Sequence, residues 1–356
     1  MSIPIVDSHI HLFPESHLPT FTWYTPDNPL ANQHSVNEYQ AASTGNSRSQ
    51  LQTRGFIFLE TDRLSSVDDN SQGHGWTHPL DEISFLTRII TGTPHPGEGH
   101  TPADQRLCLA IVPWAPVPGG PSTLEAYMER VRTRTGTDTE AWKKVRGVRY
   151  LVQDKPRGVM GQKGFVEGVQ WLGRRGLTFD LGVDARSGGL WQLEEAVEMM
   201  DSVYGGVAVE EQTPIIINHL CKPNLRLAAA DTTGHADFRA WKAQVERMAR
   251  WPKTYMKLSG AFSELPPLSS EKDPDIPRLV DQLQPWTEVI FRCFGSQRVM
   301  FGSDWPVCNI GGGGNAVSWG RWQAVVEALL ERLGLNEKEK RRVWGGTAIE
   351  AYGIEF

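Results

Sequence analysis

The chain has 356 residues, 39% of them hydrophobic, and a formal net charge of −6 at pH 7. This length fits one large α/β barrel or two ordinary domains, and the 13 Trp and 13 Phe contribute enough apolar surface for a full core. An acidic balance without a basic run argues against a nucleic-acid partner.

Short β-rich runs recur along the chain, each with a polar residue near its C-terminal end. The predicted strands are residues 5–13, 55–63, 106–116, 145–154, 177–184, 214–223, 254–260 and 298–307. Segments with helical periodicity, such as "TLEAYMERVRTRT", separate most of them. Parallel strands need long crossovers, so repeated strand–helix units indicate a parallel sheet. Eight units predict an α/β fold, a (β/α)8 TIM barrel formed as one domain by residues 1–356.

An open, doubly wound sheet is the alternative architecture. It would need a glycine-rich phosphate loop after the first strand, where the sequence reads "HLFPESHLP" instead. Three segments are predicted to be loop insertions. Residues 14–53 and 308–319 follow strands and therefore fall on the C-terminal rim, whereas 91–105 precedes the third strand and falls on the opposite rim.

The first predicted strand, "IVDSHIHLF", carries Asp7, His9 and His11 at alternate positions. Side chains two apart share a face of a strand, so we expect all three to project the same way. Burying two imidazoles and a carboxylate is costly unless they are paired or bind something. This pattern favours a catalytic or metal site, and a pair of core histidines satisfied by their neighbours is the alternative.

Polar residues at the C-terminal ends of the barrel strands should converge on one mouth. The candidates are His9, His11, Glu60, Arg149, Gln153, Asp180, His219, Lys222 and Asp304. Any one of them alone is more often structural, but random polar residues would not fall at the same end of so many strands. The sequence therefore predicts an active site at this mouth, with Trp23, Trp114 and Trp305 as candidate apolar faces.

Neither an export signal nor a membrane span is predicted. The first residues, "MSIPIVDSH", lack the charged and apolar regions of a signal peptide, and no segment reaches the ~20 apolar residues of a span. The four cysteines, Cys108, Cys221, Cys293 and Cys308, form no C-x-x-C pair, which favours free thiols in a reducing compartment. We expect a cytoplasmic protein without a membrane partner, and a homo-oligomer stays open.

Several segments resemble the amidohydrolase superfamily. They are "VDSHIHLF", "GVRYLVQD", "LTFDL", "NHLCKP", "MKLSG" and "MFGSDWPV", and the final "GGTAIEAYGI" is similar to the terminal helix of its branch of sugar-acid lactonases. The likeness runs from the first strand to residue 354 and is weaker over 14–53 and 64–105. It implies an amidohydrolase-like TIM barrel and a hydrolase that opens the lactone ring of a small sugar acid.

The chain departs from this family at four positions. Cys221 stands where the branch usually has Gly, and Thr347 stands where it usually has Asn, which we interpret as tolerated packing changes. Binuclear relatives supply a lysine from the fourth strand and a histidine from the fifth, where this chain has Arg149 and Asp180. The resemblance therefore does not imply a two-metal centre.

A single divalent ion, Zn²⁺ or Mn²⁺, is compatible with the resemblance. The inherited ligands would be His9, His11 and Asp304, with Glu60 or His219 completing the set. The branch contains both metal-dependent and metal-free enzymes, so a metal-free mechanism also stays open.

The resemblance also implies roles in lactone hydrolysis. Asp304 would be the general base that takes a proton from water. His9, His11 and His219 would polarise the carbonyl group, directly or through the metal. The substrate would contact a second set of side chains, consisting of Arg149, Gln153, Asp180, Lys222 and Trp305.

The charges of the predicted mouth indicate whether the substrate is neutral or anionic. Two cations, Arg149 and Lys222, face three potential anions, Glu60, Asp180 and Asp304. Because a buried and unpaired substrate carboxylate is costly, this balance favours a neutral, polyhydroxylated ring, an aldonolactone such as L-rhamnono-1,4-lactone. The alternatives are a metal-dependent decarboxylase of the same superfamily and, from another class, a catalytically inactive sugar-binding barrel.

Overall fold

The computed structural model describes residues 3–44, 51–69, 75–137 and 139–355, so residues 45–50 of the predicted loop 14–53 lie outside the described ranges. The described residues form eight strands: β1 (Ile3–Ile10), β2 (Leu51–Leu59), β3 (Cys108–Val112), β4 (Gly147–Arg149), β5 (Thr178–Leu181), β6 (Ile215–Ile217), β7 (Thr254–Leu258) and β8 (Val299–Phe301). All pairings are parallel, with β1–β3 in one sheet and β4–β8 in a second. Each predicted strand is confirmed, with different ends.

Backbone contacts join the two sheets into a ring. Between β3 and β4, Ile111 pairs with Val145. Between β8 and β1, Ile10 pairs with Trp305, and the Asp304 N–H donates to the His9 carbonyl oxygen at 2.9 Å. The strands therefore form the predicted parallel barrel, and the contacts between β8 and β1 lie at the C-terminal end, next to the candidate site.

Helices surround the strands. The α-helices are α1 (Val36–Ser43), α2 (Thr77–Thr91), α3 (Gly120–Thr135), α4 (Glu140–Lys143), α5 (Lys163–Arg174), α6 (Trp191–Tyr204), α7 (Ala236–Met248), α8 (Ala261–Glu264), α9 (Ile276–Phe294), α10 (Cys308–Gly312), α11 (Ser318–Arg332), α12 (Glu337–Arg341) and α13 (Thr347–Ala351). A π-helical turn, Arg342–Gly346, joins the last two. No helix in the described part of the chain is long and apolar enough to cross a lipid bilayer.

Two apolar layers hold the barrel together. The larger, outer layer lies between the strands and the helices and includes Ile5 and Leu86. The smaller, inner layer lies inside the barrel and includes Val6 and Met300. Successive strand residues alternate between the two layers, as expected for strands that are buried on both faces. Tyr352, just after α13, belongs to the inner layer together with Val6. The C-terminal segment thus packs inside the barrel, below the strand ends that carry the candidate site.

Asp7 points away from the two histidines, so the prediction that all three share one face is wrong. A register shift interrupts the pairing of β1 with β2 after Asp7 and changes the alternation of side chains. The Asp7 carboxylate accepts hydrogen bonds from the Ser303 N–H at 2.7 Å, from Trp319 Nε1 at 2.9 Å and from the Tyr39 hydroxyl at 3.1 Å. Asp7 therefore ties β1 to α1, to α11 and to the segment after β8.

Truncation of Asp7 is expected to destabilise the fold. The Asp7→Ala substitution leaves three buried donors without their acceptor, which predicts a loss of roughly 3–5 kcal/mol in the free energy of unfolding. Urea denaturation measures this loss, and Asp27→Ala, at an exposed position, should change stability by less than about 0.5 kcal/mol. A loss below about 1 kcal/mol for Asp7→Ala would contradict this interpretation.

Candidate active site

A cavity of about 300 Å³ opens at the C-terminal ends of the strands. Its polar lining includes seven of the predicted residues, namely His11, Glu60, Arg149, Gln153, His219, Lys222 and Asp304. Its apolar lining consists of Phe13, Trp23, Leu30, Leu151, Pro306, Val307 and Ile310. Both predicted rim segments contribute, since Trp23 and Leu30 lie in 14–53 and Ile310 lies in 308–319. The cavity thus combines one polar cluster with an apolar wall.

Asp304 lies at the centre of the polar cluster. Its Oδ1 atom is 3.6 Å from His9 Nε2, 3.7 Å from His11 Nε2 and 3.6 Å from His219 Nε2. His9 and His11 come from the end of β1, His219 follows β6, and Asp304 follows β8. The structure therefore brings together four side chains that are far apart in the sequence, at one end of the barrel.

Burial and neighbouring charges control the ionisation of this cluster. Burial lowers the pKa of His219 to about 3, although Asp304 opposes that shift. Burial, followed by the charge of Lys257, lowers the pKa of His9 well below its ordinary value. Burial would raise the pKa of Asp304, but the surrounding imidazoles, led by His219 and His11, outweigh it and lower that pKa. At neutral pH the cluster therefore holds an ionised Asp304 carboxylate beside the neutral imidazoles of His9 and His219.

A strained turn after β6 holds His219 in place. Four consecutive residues, His219 to Lys222, have φ angles between 45° and 64°, a left-handed conformation that non-glycine residues adopt only at a cost. His219 Nδ1 lies 2.8 Å from the Ser259 hydroxyl. A Cβ atom added to Gly260, whose φ is +67°, would lie 2.5 Å from the same nitrogen. The absence of a side chain at Gly260 therefore provides the space that the His219 imidazole occupies. Cys221, with φ 64°, stands where a glycine would avoid this strain.

His9 and His11 occupy different depths. His9 is fully buried and does not line the cavity, whereas His11 does. His11 Nδ1 lies 3.0 Å from the carbonyl oxygens of Leu59 and Glu60, so this nitrogen carries a proton and donates it. A neutral His11 then presents the lone pair of Nε2 to the cluster. His9 acts from beneath the cavity, and its predicted direct contact with the carbonyl group of the substrate is corrected.

Asp180 is not a substrate contact, contrary to prediction. It is fully buried, its Oδ1 accepts a hydrogen bond from Lys257 Nζ at 2.5 Å, and its Oδ2 accepts one from the Tyr352 hydroxyl at 2.8 Å. Burial lowers the pKa of Lys257 to about 8 against the pull of Asp180. Lys257 also lies 3.4 Å from His9 Nδ1. Sequence reasoning missed Lys257, although a single lysine in an apolar strand buried on both faces is a usable signal.

Glu60 and Arg149 face each other across the cavity lining. Arg149 Nε lies 3.5 Å from Glu60 Oε1, and neither atom has a hydrogen-bond partner among the described residues. Glu60 Oε2 accepts a hydrogen bond from the Asp62 N–H at 2.5 Å. Burial raises the pKa of Glu60 to about 7 against the opposing charge of Arg149. Both side chains line the cavity, and their two facing atoms form an ion pair without a hydrogen bond.

Trp305 does not line the cavity, so its predicted substrate contact is also wrong. The side chain is fully buried, and its Nε1 donates to Asn315 Oδ1 at 2.7 Å. The indole packs against His34 and Tyr39, with ring centroids 5.4 Å apart in both pairs. Asp304, with a φ of 62°, turns the chain so that the two neighbouring side chains leave in different directions. Among the predicted rim tryptophans, Trp23 is the one that reaches the cavity.

The donor set suits a divalent metal ion. Ligand atoms of His9, His219 and Asp304 all lie within 4.8 Å of one another. Two neutral imidazoles and a carboxylate are ligands that zinc accepts. Of the two residues predicted to complete the ligand set, His219 belongs to this group, and a role of Glu60 as a metal ligand stays a prediction. His11 Nε2 lies beside the group, 3.3 Å from His9 Nε2.

Comparisons with known proteins agree with this architecture. The sequence profile of the family described as "Amidohydrolase" matches residues 106–354. An L-rhamnono-gamma-lactonase of Scheffersomyces stipitis is 36% identical over 354 residues, which cover 98% of each chain. An L-fucono-1,5-lactonase of Burkholderia multivorans is 27% identical over 285 residues, or 78% of this chain and 84% of the relative. The crystal structure of an amidohydrolase from Burkholderia multivorans with bound zinc superposes with a TM-score of 0.67 at 22% identity, covering 99% of both chains.

Proposed function

Because the chain belongs to the amidohydrolase family, we propose that it hydrolyses the lactone ring of a neutral sugar acid, an aldonolactone such as L-rhamnono-1,4-lactone. The observation that carries this proposal is the Asp304 carboxylate, which lies among three imidazoles and lines the cavity. The similarity to an L-rhamnono-gamma-lactonase over nearly the whole chain supports the substrate class.

In the proposed reaction, Asp304 acts as the general base. It takes a proton from a water molecule while the water oxygen attacks the lactone carbonyl carbon. The negative charge that develops on the carbonyl oxygen is stabilised by donors in the cavity, of which Arg149, Lys222 and His219 are the candidates. The bond between the carbonyl carbon and the ring oxygen then breaks, and Asp304 returns the proton to the departing alkoxide. The product is the open-chain hydroxy acid.

A metal ion has a defined place in this proposal. A divalent ion held by His9, His219 and Asp304 would act as a Lewis acid and lower the pKa of water at the site. Zn²⁺ fits the nitrogen and oxygen donors, and Mn²⁺ accepts the same set. The steps assigned to Asp304 and to the cavity donors use only side chains of this chain.

The cytoplasmic location and the oligomeric state stay predictions.

The charges of the cavity favour a neutral substrate. With Asp180 outside the cavity, the lining still holds two cations, Arg149 and Lys222, against the carboxyl groups of Glu60, Asp62 and Asp304. Substrate hydroxyls can donate to Glu60 and accept from the cations, whereas an additional carboxylate would lack partners. The apolar wall provides a surface for the methyl group of a 6-deoxy sugar.

Turnover of a lactone panel tests this function. We expect proton release from neutral aldonolactones, monitored with a pH indicator, and a kcat/KM at least about tenfold lower for a pyrone dicarboxylate. A preference for the dicarboxylate would contradict the charge argument. Release of CO₂ from an aromatic or enoic acid would indicate a decarboxylase instead, and binding of sugars without turnover would indicate a receptor.

A further inference from the structure

Lys257 is a buried cation beneath the site that the proposed mechanism does not use. Its ammonium nitrogen lies 2.5 Å from Asp180 Oδ1 and 3.4 Å from His9 Nδ1. All three side chains are fully buried. The Tyr352 hydroxyl donates to the same carboxylate at 2.8 Å. Asp180 is thus held from two sides, and Lys257 connects it to His9.

The contact with Lys257 has a consequence for the protonation of His9. An ammonium group carries only N–H donors, so the His9 nitrogen that faces it must accept a hydrogen bond. That nitrogen is Nδ1. A neutral His9 therefore carries its proton on Nε2, the atom that points at the cluster.

His11 continues the same order of donors and acceptors. Its Nδ1 donates to backbone carbonyl oxygens, so in a neutral His11 the lone pair lies on Nε2. His9 Nε2 lies 3.3 Å from that lone-pair nitrogen. Each N–H from Lys257 through His9 to His11 then faces an acceptor. The reverse tautomer of His9 would set an N–H against the Lys257 ammonium and leave two lone pairs facing each other.

We propose that Lys257 is a positioning residue that holds His9 with its proton on Nε2 and thereby weakens metal binding through His9. A metal ligated by His9 Nε2 needs the lone pair on that atom, and the proton would have to move to Nδ1, against the ammonium group. The positive charge of Lys257 also opposes a nearby dication. The inference concerns the site of the proposed lactone hydrolysis, but it depends on no substrate.

Nitrogen-15 NMR of histidine-labelled protein tests the tautomer. Chelator-treated protein is used, and the His9 signals are assigned with His9→Asn. In the wild type we expect His9 as the Nε2–H tautomer, with an Nδ1 signal shifted by an accepted hydrogen bond. In Lys257→Met the His9 Nδ1 signal should move, either to the position of a nitrogen that accepts no hydrogen bond or, if the tautomer reverses, to that of a protonated nitrogen. An Nδ1–H tautomer in the wild type, or an Nδ1 signal that Lys257→Met leaves unchanged, would overturn the proposal.

Zinc affinity tests the second part, measured by competition with a chromophoric chelator. Lys257→Met should bind zinc roughly tenfold more tightly than the wild type, a size typical of residues that orient a metal ligand. The double variant Lys257→Met/Asp180→Asn keeps the net charge of the pair and avoids an unpaired buried carboxylate. It should also bind zinc more tightly than the wild type. Tyr352→Phe disturbs the same network but keeps Lys257, so its affinity should stay within about threefold of the wild type.

The outcomes separate this inference from the proposed function. Unchanged zinc affinity in both lysine variants, or an equal change in Tyr352→Phe, would overturn the inference and leave lactone hydrolysis untouched. Absence of lactone turnover would overturn the proposed function, while the tautomer and the zinc affinities would still report on Lys257.

Discussion

Replacement of Asp304 by asparagine is expected to lower kcat for lactone hydrolysis by roughly 10²–10⁴-fold, the range for loss of general acid–base catalysis. The change is nearly isosteric, so the amide fills the same space among the three imidazoles but cannot take the proton from water. Steady-state kinetics on L-rhamnono-1,4-lactone measure the loss. Because the carboxylate acts in the reaction rather than in ground-state binding, KM should change less than kcat.

Asp62→Asn is the matched control for this prediction. Asp62 also lines the cavity, but its carboxylate accepts a hydrogen bond from the Thr22 hydroxyl on the rim loop instead of facing the imidazoles. The same chemical change there should leave kcat within about fivefold of the wild type. Activity of Asp304→Asn within about threefold of the wild type would mean that another group is the base.

Gly260→Ala is expected to cost roughly 10²-fold in kcat/KM, because a displacement of a site residue by about 1 Å has effects of this size. The added Cβ would lie 2.5 Å from His219 Nδ1 and 2.6 Å from its Cγ. The imidazole must move, and its contact with Ser259 would be lost. Kinetics together with thermal denaturation separate this local effect from a general loss of stability.

Gly176→Ala is a close control, since Gly176 has the same φ of +67° but no atom within 4 Å of an added Cβ. Both variants carry the strain of a left-handed alanine, about 1 kcal/mol, but this one has no clash. Gly176→Ala should therefore lose stability and keep wild-type kinetics. Equal activity in the two variants would contradict the role assigned to Gly260.

The barrel and much of the site could be predicted from the sequence because both follow from simple periodicities. Eight apolar runs separated by helical segments admit few arrangements other than a parallel barrel. Once the strands are parallel, residues at their C-terminal ends must meet at one mouth. The sequence therefore predicts that His219 and Asp304, 85 positions apart, lie close together.

The wrong predictions about site residues have two causes, namely local irregularities of the backbone and the unknown depth of a side chain inside the barrel. The register shift after Asp7 breaks the alternation of β1, and the left-handed Asp304 turns Trp305 away from the cavity. Neither irregularity has a signature in the sequence. The alternation of side chains along a strand predicts which face each one lies on, but not how deep it lies inside the barrel. Asp180 therefore could not be recognised as the buried partner of Lys257.

A single turnover in oxygen-18-labelled water shows whether Asp304 activates water for attack on the lactone or attacks the lactone itself. Enzyme in excess is mixed with L-rhamnono-1,4-lactone, Asp304→Asn is run in parallel to correct for spontaneous opening, and mass spectrometry follows the acid and the peptide that contains Asp304. General-base catalysis by Asp304 predicts rapid formation of the acid with one oxygen-18 atom in its carboxylate and an unlabelled Asp304. An unlabelled acid together with labelled Asp304, or no acid above the Asp304→Asn control, would contradict it.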